Sequence, residues 1–511
     1  MSNSISRRRF LQAVGAGAMY SVLSGRVMGA EEKVNMRPAY HITSCNEVAW
    51  PFDPNGAIHW KGWYHLMYIR KSPGGWGHVS SKDLIHWKRH PNATIFDLSG
   101  NAFINKDGTP TIISGHGGVS VALAQEDELN VWKFISIKKG PAIGDPHPSQ
   151  FDLWDPHGWL EGDTYFAIFG CHPWRRPIPA TVWKSSDLKR WHYIGPLLSR
   201  EMPDVEPFED ISCPDLFKLG DKYMLLCIAH IKGARYYLGE LKDGQFHPES
   251  HARMNWPGGA CFAPETLLDD RGRRIMWAWA TDDHRYPKRQ LATGWAGTLT
   301  MPRVLSLAAD GTVLIKPVEE YESLRRNPRH HEKVTLVAGA EKVLEDISGD
   351  CLELTVQIAP GFSSPCGVKV RRSPEGEEET AISYEPAKKC IRIDIAKSSS
   401  DKEIVYHKYV QNYDGKHGTP AASENVLVTA QEAPFVLRPG EPLQLRIFLD
   451  RTILEVFAND RQCLTQRIYP TRPDSMGVSL FSTDGNTEFI SVRAWDMASI
   501  EVEPDIEEQK A

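Results

Sequence analysis

No two cysteines in this chain form a CxxC pair, so the commonest signature of a structural zinc site is missing. The nine cysteines, at 45, 171, 213, 227, 261, 351, 366, 390 and 463, are scattered. An odd number excludes a complete disulfide framework and leaves room for one or two bridges. Glycine-rich phosphate loops are absent too, which leaves a nucleotide role unsupported; neither a cofactor nor a metal is expected. Neither sign of charge is in excess: 59 Lys and Arg against 65 Asp and Glu give a net charge of −6. Nothing electrostatic therefore calls for nucleic acid or an anionic membrane as partner. Long helical periodicity is missing throughout, which excludes a helix-built fold.

What is present begins with length. A chain of 511 residues exceeds one ordinary core, so two domains are expected. Its 16 tryptophans suit both a β-rich core and the stacking of flat rings on the apolar C–H faces of sugars. At the start, Ser6-Arg7-Arg8-Arg9-Phe10-Leu11 precede a mild apolar run from Ala13 to Leu23. That run is shorter than the about 20 residues of a membrane span. The layout is a secretory signal, and the paired arginines before Phe-Leu resemble a twin-arginine export signal. Residues 1–30 are expected to be this signal, cleaved near Gly29 or Ala30, and the protein is expected to be exported, periplasmic or extracellular.

From about 40 to 315 short strands alternate with Gly, Pro, Asp and Asn. One phrase recurs, a tight turn and then an aromatic-rich strand: Gly62-Trp63-Tyr64, Gly162-Asp163-Thr164-Tyr165, Gly220-Asp221-Lys222-Tyr223 and Gly272-Arg273-Arg274-Ile275. A second, Ser81-Lys82-Asp83-Leu84-Ile85-His86-Trp87, is echoed by Ser186-Asp187-Leu188-Lys189-Arg190-Trp191. Such units point to propeller blades. A charged stretch, 316–332, is expected to be a linker holding a short helix near 318–326. Period-2 alternation then returns, as in Leu352-Glu353-Leu354-Thr355-Val356, and predicts a β-sandwich over 333–500. The acidic residues 501–511 are expected to form a frayed tail. The fold class read from the sequence is thus all-β, a propeller followed by a C-terminal sandwich.

The chemistry is sought among acids. Asp53 lies in Phe52-Asp53-Pro54-Asn55-Gly56, Asp155 in Trp154-Asp155-Pro156, and Ser212-Cys213-Pro214-Asp215 forms a third such phrase. Each stands one step before a repeated strand. First strands of propeller blades line the central channel, so these positions converge. Glycoside hydrolysis needs convergent carboxyls, one to attack or stabilise an oxocarbenium-like centre and one to protonate the leaving oxygen.

These residues resemble a known family, glycoside hydrolase family 32, the β-fructosidases (invertases, levanases and inulinases), from about residue 45 to 495. Phe52-Asp53-Pro54-Asn55-Gly56 is similar to its nucleophile motif and Trp154-Asp155-Pro156 stands in place of its Arg-Asp-Pro. Residues 76–87, Ser99-Gly100-Asn101-Ala102, Phe262-Ala263-Pro264-Glu265-Thr266, 272–279, 294–303 and 449–460 also match family segments in order. The resemblance implies a five-bladed β-propeller with a C-terminal β-sandwich. It also implies a retaining hydrolase of β-fructofuranosides such as sucrose, levan or inulin, with an oligo- or polysaccharide substrate. Asp53 would be its nucleophile and Asp155 would hold sugar hydroxyls and stabilise the transition state. Asn55, Trp76, Asn101, Trp154, Ser212 and Glu265 would contact substrate, Trp76 as a wall of the pocket.

Three departures go with this resemblance. The acid/base glutamate of the family is Ser212 here, Phe52 replaces an asparagine, and Trp154 replaces an arginine. Loss of a general acid costs about 10²–10⁴-fold in rate. Asp210, which an extended strand places on the same side as Ser212, is the first candidate to substitute. Glu209, given a bulge, and Glu265 are alternatives. His116, His157 and His172 lie near the same turns as sugar hydrogen-bonders or packing groups. Two other functions stay open: hydrolysis of a different furanoside or glycan, and non-catalytic glycan binding.

Overall fold

Gly62, Gly162, Gly220 and Gly272 take φ of 80°, 57°, 64° and 75°, the left-handed region that costs a residue without Cβ nothing. Each turns the first strand of a blade into an antiparallel second strand. The structure is a computed structural model that describes residues 34–44, 51–70, 75–95, 98–139, 151–172, 179–282, 295–410, 415 and 419–503. The expected signal at 1–30, Cys45 and the tail beyond 503 lie outside the described residues.

Five sheets follow in chain order. Blade 1 is Pro54–Trp60, Trp63–Ile69, Trp76–Ser81 and His86–Ala93, and blade 2 is Gly100–Ile104, Pro110–Ser114, Val119–Ala124 and Trp132–Lys139. Blade 3 is Trp154–Glu161, Thr164–Gly170, Thr181–Ser185 and His192–Pro196. Blade 4 is Ser212–Leu219, Lys222–Ala229, Gly233–Lys242 and Gln245–Arg253, and blade 5 is Cys261–Leu268, Arg274–Ala280, Arg303–Leu307 and Val313–Pro317. The first strand of each blade lies beside those of its neighbours, and blade 5 lies against blade 1, which closes the ring around a channel. The second repeated phrase is the turn between third and fourth strands. Leu84 and Leu188 sit there with φ of 65° and 63°, costly for a residue with a Cβ. They are held because Ser81 Oγ and Ser185 Oγ accept their N–H groups at 2.8 and 2.9 Å.

The stretch expected as a linker is largely structured. A 3₁₀ turn, Glu319–Leu324, leads directly into the first sandwich strand, Arg325–Leu336. Two six-stranded sheets then face each other, with Leu352, Leu354, Val356 and Ile358 in the core between them. The expected frayed tail is ordered at its start: Glu501–Val502 pairs in parallel with His86–Trp87 of blade 1, so 501–503 belong to the fold. The eight described cysteines are unbridged. No helix among the described residues is long and apolar enough to cross a membrane.

Buried charge fastens the sandwich to blade 5 and to the segment 39–41 that precedes blade 1. Glu455 accepts from Arg303 Nη2 at 2.5 Å and from the Met301 N–H at 3.1 Å. Asp450 binds the backbone N–H groups of Ala39 and Tyr40 and the His41 ring, at 2.7, 2.7 and 2.8 Å.

Candidate active site

Three blades enter their first strand in the same way. Asp155, Cys213 and Ala263 have φ of 42°, 45° and 43°, each precedes a proline, and each lies at a register irregularity against the second strand. A non-glycine residue in this region stores strain, and a bulge at a strand entrance re-aims a side chain. The device turns the Asp155 carboxylate toward blade 4. There its Oδ2 accepts from the Cys213 N–H at 3.2 Å and lies 3.6 Å from Cys213 Sγ. In blade 1 the left-handed residue is Gly56, where a Cβ would stand 3.1 Å from the Trp76 ring.

Asp53 ends just before the first strand of blade 1. Asn55 Nδ2 donates to the Asp53 carbonyl at 3.0 Å, and Asn55 Oδ1 accepts from the Gly100 N–H at 3.0 Å. Asn55 thus pins the nucleophile candidate to blade 2. Asp53 Oδ1 is buried and has no hydrogen-bond partner among the described residues. Burial, then the nearby Asp155, push the Asp53 carboxyl up to about 7, against the lowering charge of His230. Burial raises Asp155 as well, opposed by His230 and by the Cys213 N–H. Two neighbouring buried carboxyls do not both ionise cheaply, so the pair keeps a proton up to near-neutral pH.

The remaining candidates separate by depth and by partner. Trp76 is 1% exposed and packs behind Gly56, with its Nε1 donating to the Leu98 carbonyl at 3.2 Å. Phe52 is buried against Tyr68, at 4.6 Å between rings. Trp154 is part-exposed, with His116 at 3.8 Å and His172 at 4.5 Å between ring centroids. Asn101 spends its amide on the backbone of blade 3: Nδ2 donates to the Gly158 carbonyl at 3.0 Å, and Oδ1 accepts from the Gly158 N–H at 2.7 Å. It lines, with His157, Asp215 and Arg274, a cavity of about 390 Å³ further along the channel that includes neither Asp53 nor Asp155. Glu265 lies beside Asp215 and accepts from the Ala57 N–H at 3.3 Å, four residues beyond Asp53 along the strand. Burial and the Asp215 charge hold its carboxyl well above the usual range.

The two acids next to Ser212 point into different surroundings. Glu209 is fully buried and accepts from Arg253 Nη1 and Nη2 at 2.8 Å each, Lys232 Nζ at 2.9 Å and Arg235 Nη1 at 3.2 Å. Burial would raise its carboxyl, yet these cations hold it down to about 2. An acid so firmly ionised donates no proton at neutral pH. Asp210, also fully buried, accepts from Ser212 Oγ at 2.8 Å, the His230 N–H at 2.9 Å and His230 Nδ1 at 2.6 Å. Burial raises it, but His230 outweighs burial and keeps it below the usual range.

His230 was not a candidate in the sequence. Its only signal is a place just after the second strand of blade 4, whose register pairs Ser212 with Ile228. Two residues on, that register sets His230 opposite Asp210.

A model of the glycosyl hydrolases family 32 N-terminal domain matches residues 41–317, and one of the family 32 C-terminal domain matches 320–496. The chain belongs to glycosyl hydrolases family 32. It is therefore a glycoside hydrolase on a propeller and sandwich, as the motifs implied. It is 27% identical over 503 residues to a sucrose-6-phosphate hydrolase of Zymomonas mobilis, covering 90% of this chain and 92% of that protein. It is 26% identical over 505 residues to a levanase of Bacillus subtilis, covering 89% and 69%. The crystal structure of fructan 1-exohydrolase IIa from Cichorium intybus superposes with a TM-score of 0.75 at 20% identity, covering 93% of this chain and all of that one.

Proposed function

We propose that the protein hydrolyses β-fructofuranosides of the sucrose, levan or inulin type with retention of configuration. Asp53 attacks the anomeric carbon, and Asp155 holds the sugar hydroxyls and spreads the charge of the transition state. The observation that carries this reading is the pair itself: two buried carboxyls at the strand entrances of blades 1 and 3, Asp53 with an oxygen left unbonded among the described residues. Relatives named for sucrose 6-phosphate and levan hydrolysis support the substrate class. Incubation with sucrose, levan and inulin is expected to release fructose from at least one of them. Release from none, together with turnover of an aryl arabinofuranoside, transfers the reading to another furanoside. That second reading is favoured by Trp154 and its histidines standing where the family pattern has an arginine. A ligand-induced rise in melting temperature with no turnover of any glycoside would leave only a binding protein.

The export reading rests on Ser6 to Leu11 and the apolar run after them. Fractionation of cells expressing the full chain is expected to place the enzyme outside the cytoplasm, and lysine at both Arg7 and Arg8 is expected to keep it inside. Equal distribution of the two forms would remove this claim.

A further inference from the structure

We propose that His230, oriented by Asp210, is the proton donor of this site, standing in for the glutamate whose position Ser212 occupies. The proposal rests on the hydrolase reading above and supplies the group that reading lacks.

The geometry comes from three blades. The Asp210 carboxylate grips His230 twice, at the backbone N–H and at Nδ1, and Ser212 Oγ donates to the same carboxylate. Ser212 is thus part of the clamp. Because Nδ1 is the nitrogen held by Asp210, Nε2 is left for a substrate oxygen. The imidazole lies 6.4 Å from the Trp154 ring and 6.1 Å from the Phe262 ring between centroids, and these residues directly precede the left-handed Asp155 and Ala263. It is therefore placed over the channel between the entrances of blades 3 and 5, on the side that carries Asp155. The ionisable groups facing it among the described residues are Asp210, Asp155 and Asp53, with the His172 ring at 4.8 Å. Burial alone lowers the His230 pKa, but Asp210, then Asp155 and Asp53, raise it above the ordinary histidine value. The ring therefore holds its proton to higher pH than an ordinary imidazole, the direction a general acid needs. The neighbouring acids do not serve: Asp210 and Glu209 are held ionised, and Glu265 is engaged further along the channel, by the Ala57 N–H and beside Asp215.

In the first step the Asp53 carboxylate forms a bond to the anomeric carbon while the bond from that carbon to the leaving oxygen breaks. His230 Nε2 gives its proton to that oxygen, so the alcohol departs neutral. In the second step neutral Nε2 takes a proton from water, whose oxygen displaces the Asp53 ester. Fructose is released, and both the carboxylate and the imidazolium are restored.

The test compares sucrose with 4-nitrophenyl β-fructofuranoside, whose leaving group departs without a proton, in the full-length protein. His230→Gln is expected to lower kcat/KM on sucrose by about 10²–10⁴-fold, while formation of the fructosyl-enzyme from the aryl substrate falls less than about tenfold. Added azide, an anion that needs no general base, is expected to speed turnover of the aryl substrate in this variant and yield fructosyl azide. Asp210→Asn removes the carboxylate that raises His230 and is expected to move the basic limb of the kcat/KM profile to lower pH. This second variant decides the matter if His230→Gln does not fold. Equal losses on both substrates, an unmoved basic limb in Asp210→Asn, or a sucrose-selective loss that falls on Glu265→Gln would overturn the assignment with the hydrolase reading intact. A wild-type protein that cleaves neither fructoside overturns both.

Discussion

Asp53→Asn is expected to abolish turnover and to make the folded protein more stable than wild type at pH 8. Removal of a covalent nucleophile costs on the order of 10⁴–10⁶-fold in kcat. The stability gain follows from linkage. In the folded protein the Asp53 carboxyl titrates near 7, against an ordinary value of 3.8, because it is buried and stands beside Asp155. A group whose folded pKa lies above its unfolded one favours folding most below the unfolded pKa, and that contribution disappears as pH rises through the folded pKa. For Asp53 the window runs from about pH 4 to about pH 7. At about 1.4 kcal/mol per unit, the rise from 3.8 to about 7 corresponds to roughly 4 kcal/mol. Because Asp155 shares the proton, roughly 2–4 kcal/mol is the gain expected from an asparagine that never ionises. Denaturant unfolding at pH 4 and pH 8 tests it: the two proteins should differ little at pH 4 and diverge by pH 8. A variant no more stable at pH 8, or one that retains turnover, would remove Asp53 from its role. With Asp53 as the proposed nucleophile, the same titration is expected to set the acid side of catalysis, since an attacking carboxylate must be ionised. In wild type kcat/KM is expected to fall as pH drops through about 7.

The parts of this molecule that the sequence revealed are those in which one residue type carries a local constraint. Gly62, Gly162, Gly220 and Gly272 announce four hairpins because a left-handed turn favours glycine. Blade 2 stayed silent although its hairpin also turns on a left-handed glycine, Gly108 at φ 76°, because the strand after it, Pro110–Ser114, carries no aromatic residue. Asn105 helps close that turn, its Oδ1 accepting the N–H groups of Asp107 and Thr109 at 2.9 and 3.0 Å. Its outer turn puts Leu129 at φ 58° without the serine that marks the others. Asp53 and Asp155 were legible because each is an aspartate before proline at a strand entrance. His230 was not, since its meeting with Asp210 depends on the pairing of two strands, a non-local fact. Glu209 and Asp210 could not be sorted for the same reason. Arg235 and Arg253, which claim Glu209, come from the third and fourth strands of the blade and enter only when the sheet forms.

Glu455→Ala is expected to destabilise the protein by about 3–5 kcal/mol, the range for removing one partner of a buried ion pair. The argument begins with Arg303, which is 2% exposed. Its Nη2 bonds Glu455 at 2.5 Å and Thr465 Oγ1 at 3.3 Å, and its Nη1 lies 3.1 Å from Cys463 Sγ. Removing the carboxylate leaves a guanidinium with a thiol and a hydroxyl for company, far from water. The same carboxylate accepts from the Met301 N–H and from Thr465 Oγ1 at 3.1 Å each, so two further donors lose their partner. Glu455→Gln keeps an acceptor of similar size and is expected to cost less, about 1–3 kcal/mol. Replacing both partners, Arg303→Met with Glu455→Leu, removes the stranded charge together with its partner and is expected to recover part of the loss. Since Arg303 opens the third strand of blade 5 and Glu455 lies in the sandwich, the pair fixes how the sandwich seats on the propeller. Urea unfolding of the three variants measures the effect. A cost below about 1 kcal/mol in Glu455→Ala, or a double variant less stable than that single one, would show that the hydrophobic contacts of the interface hold the two domains together without it.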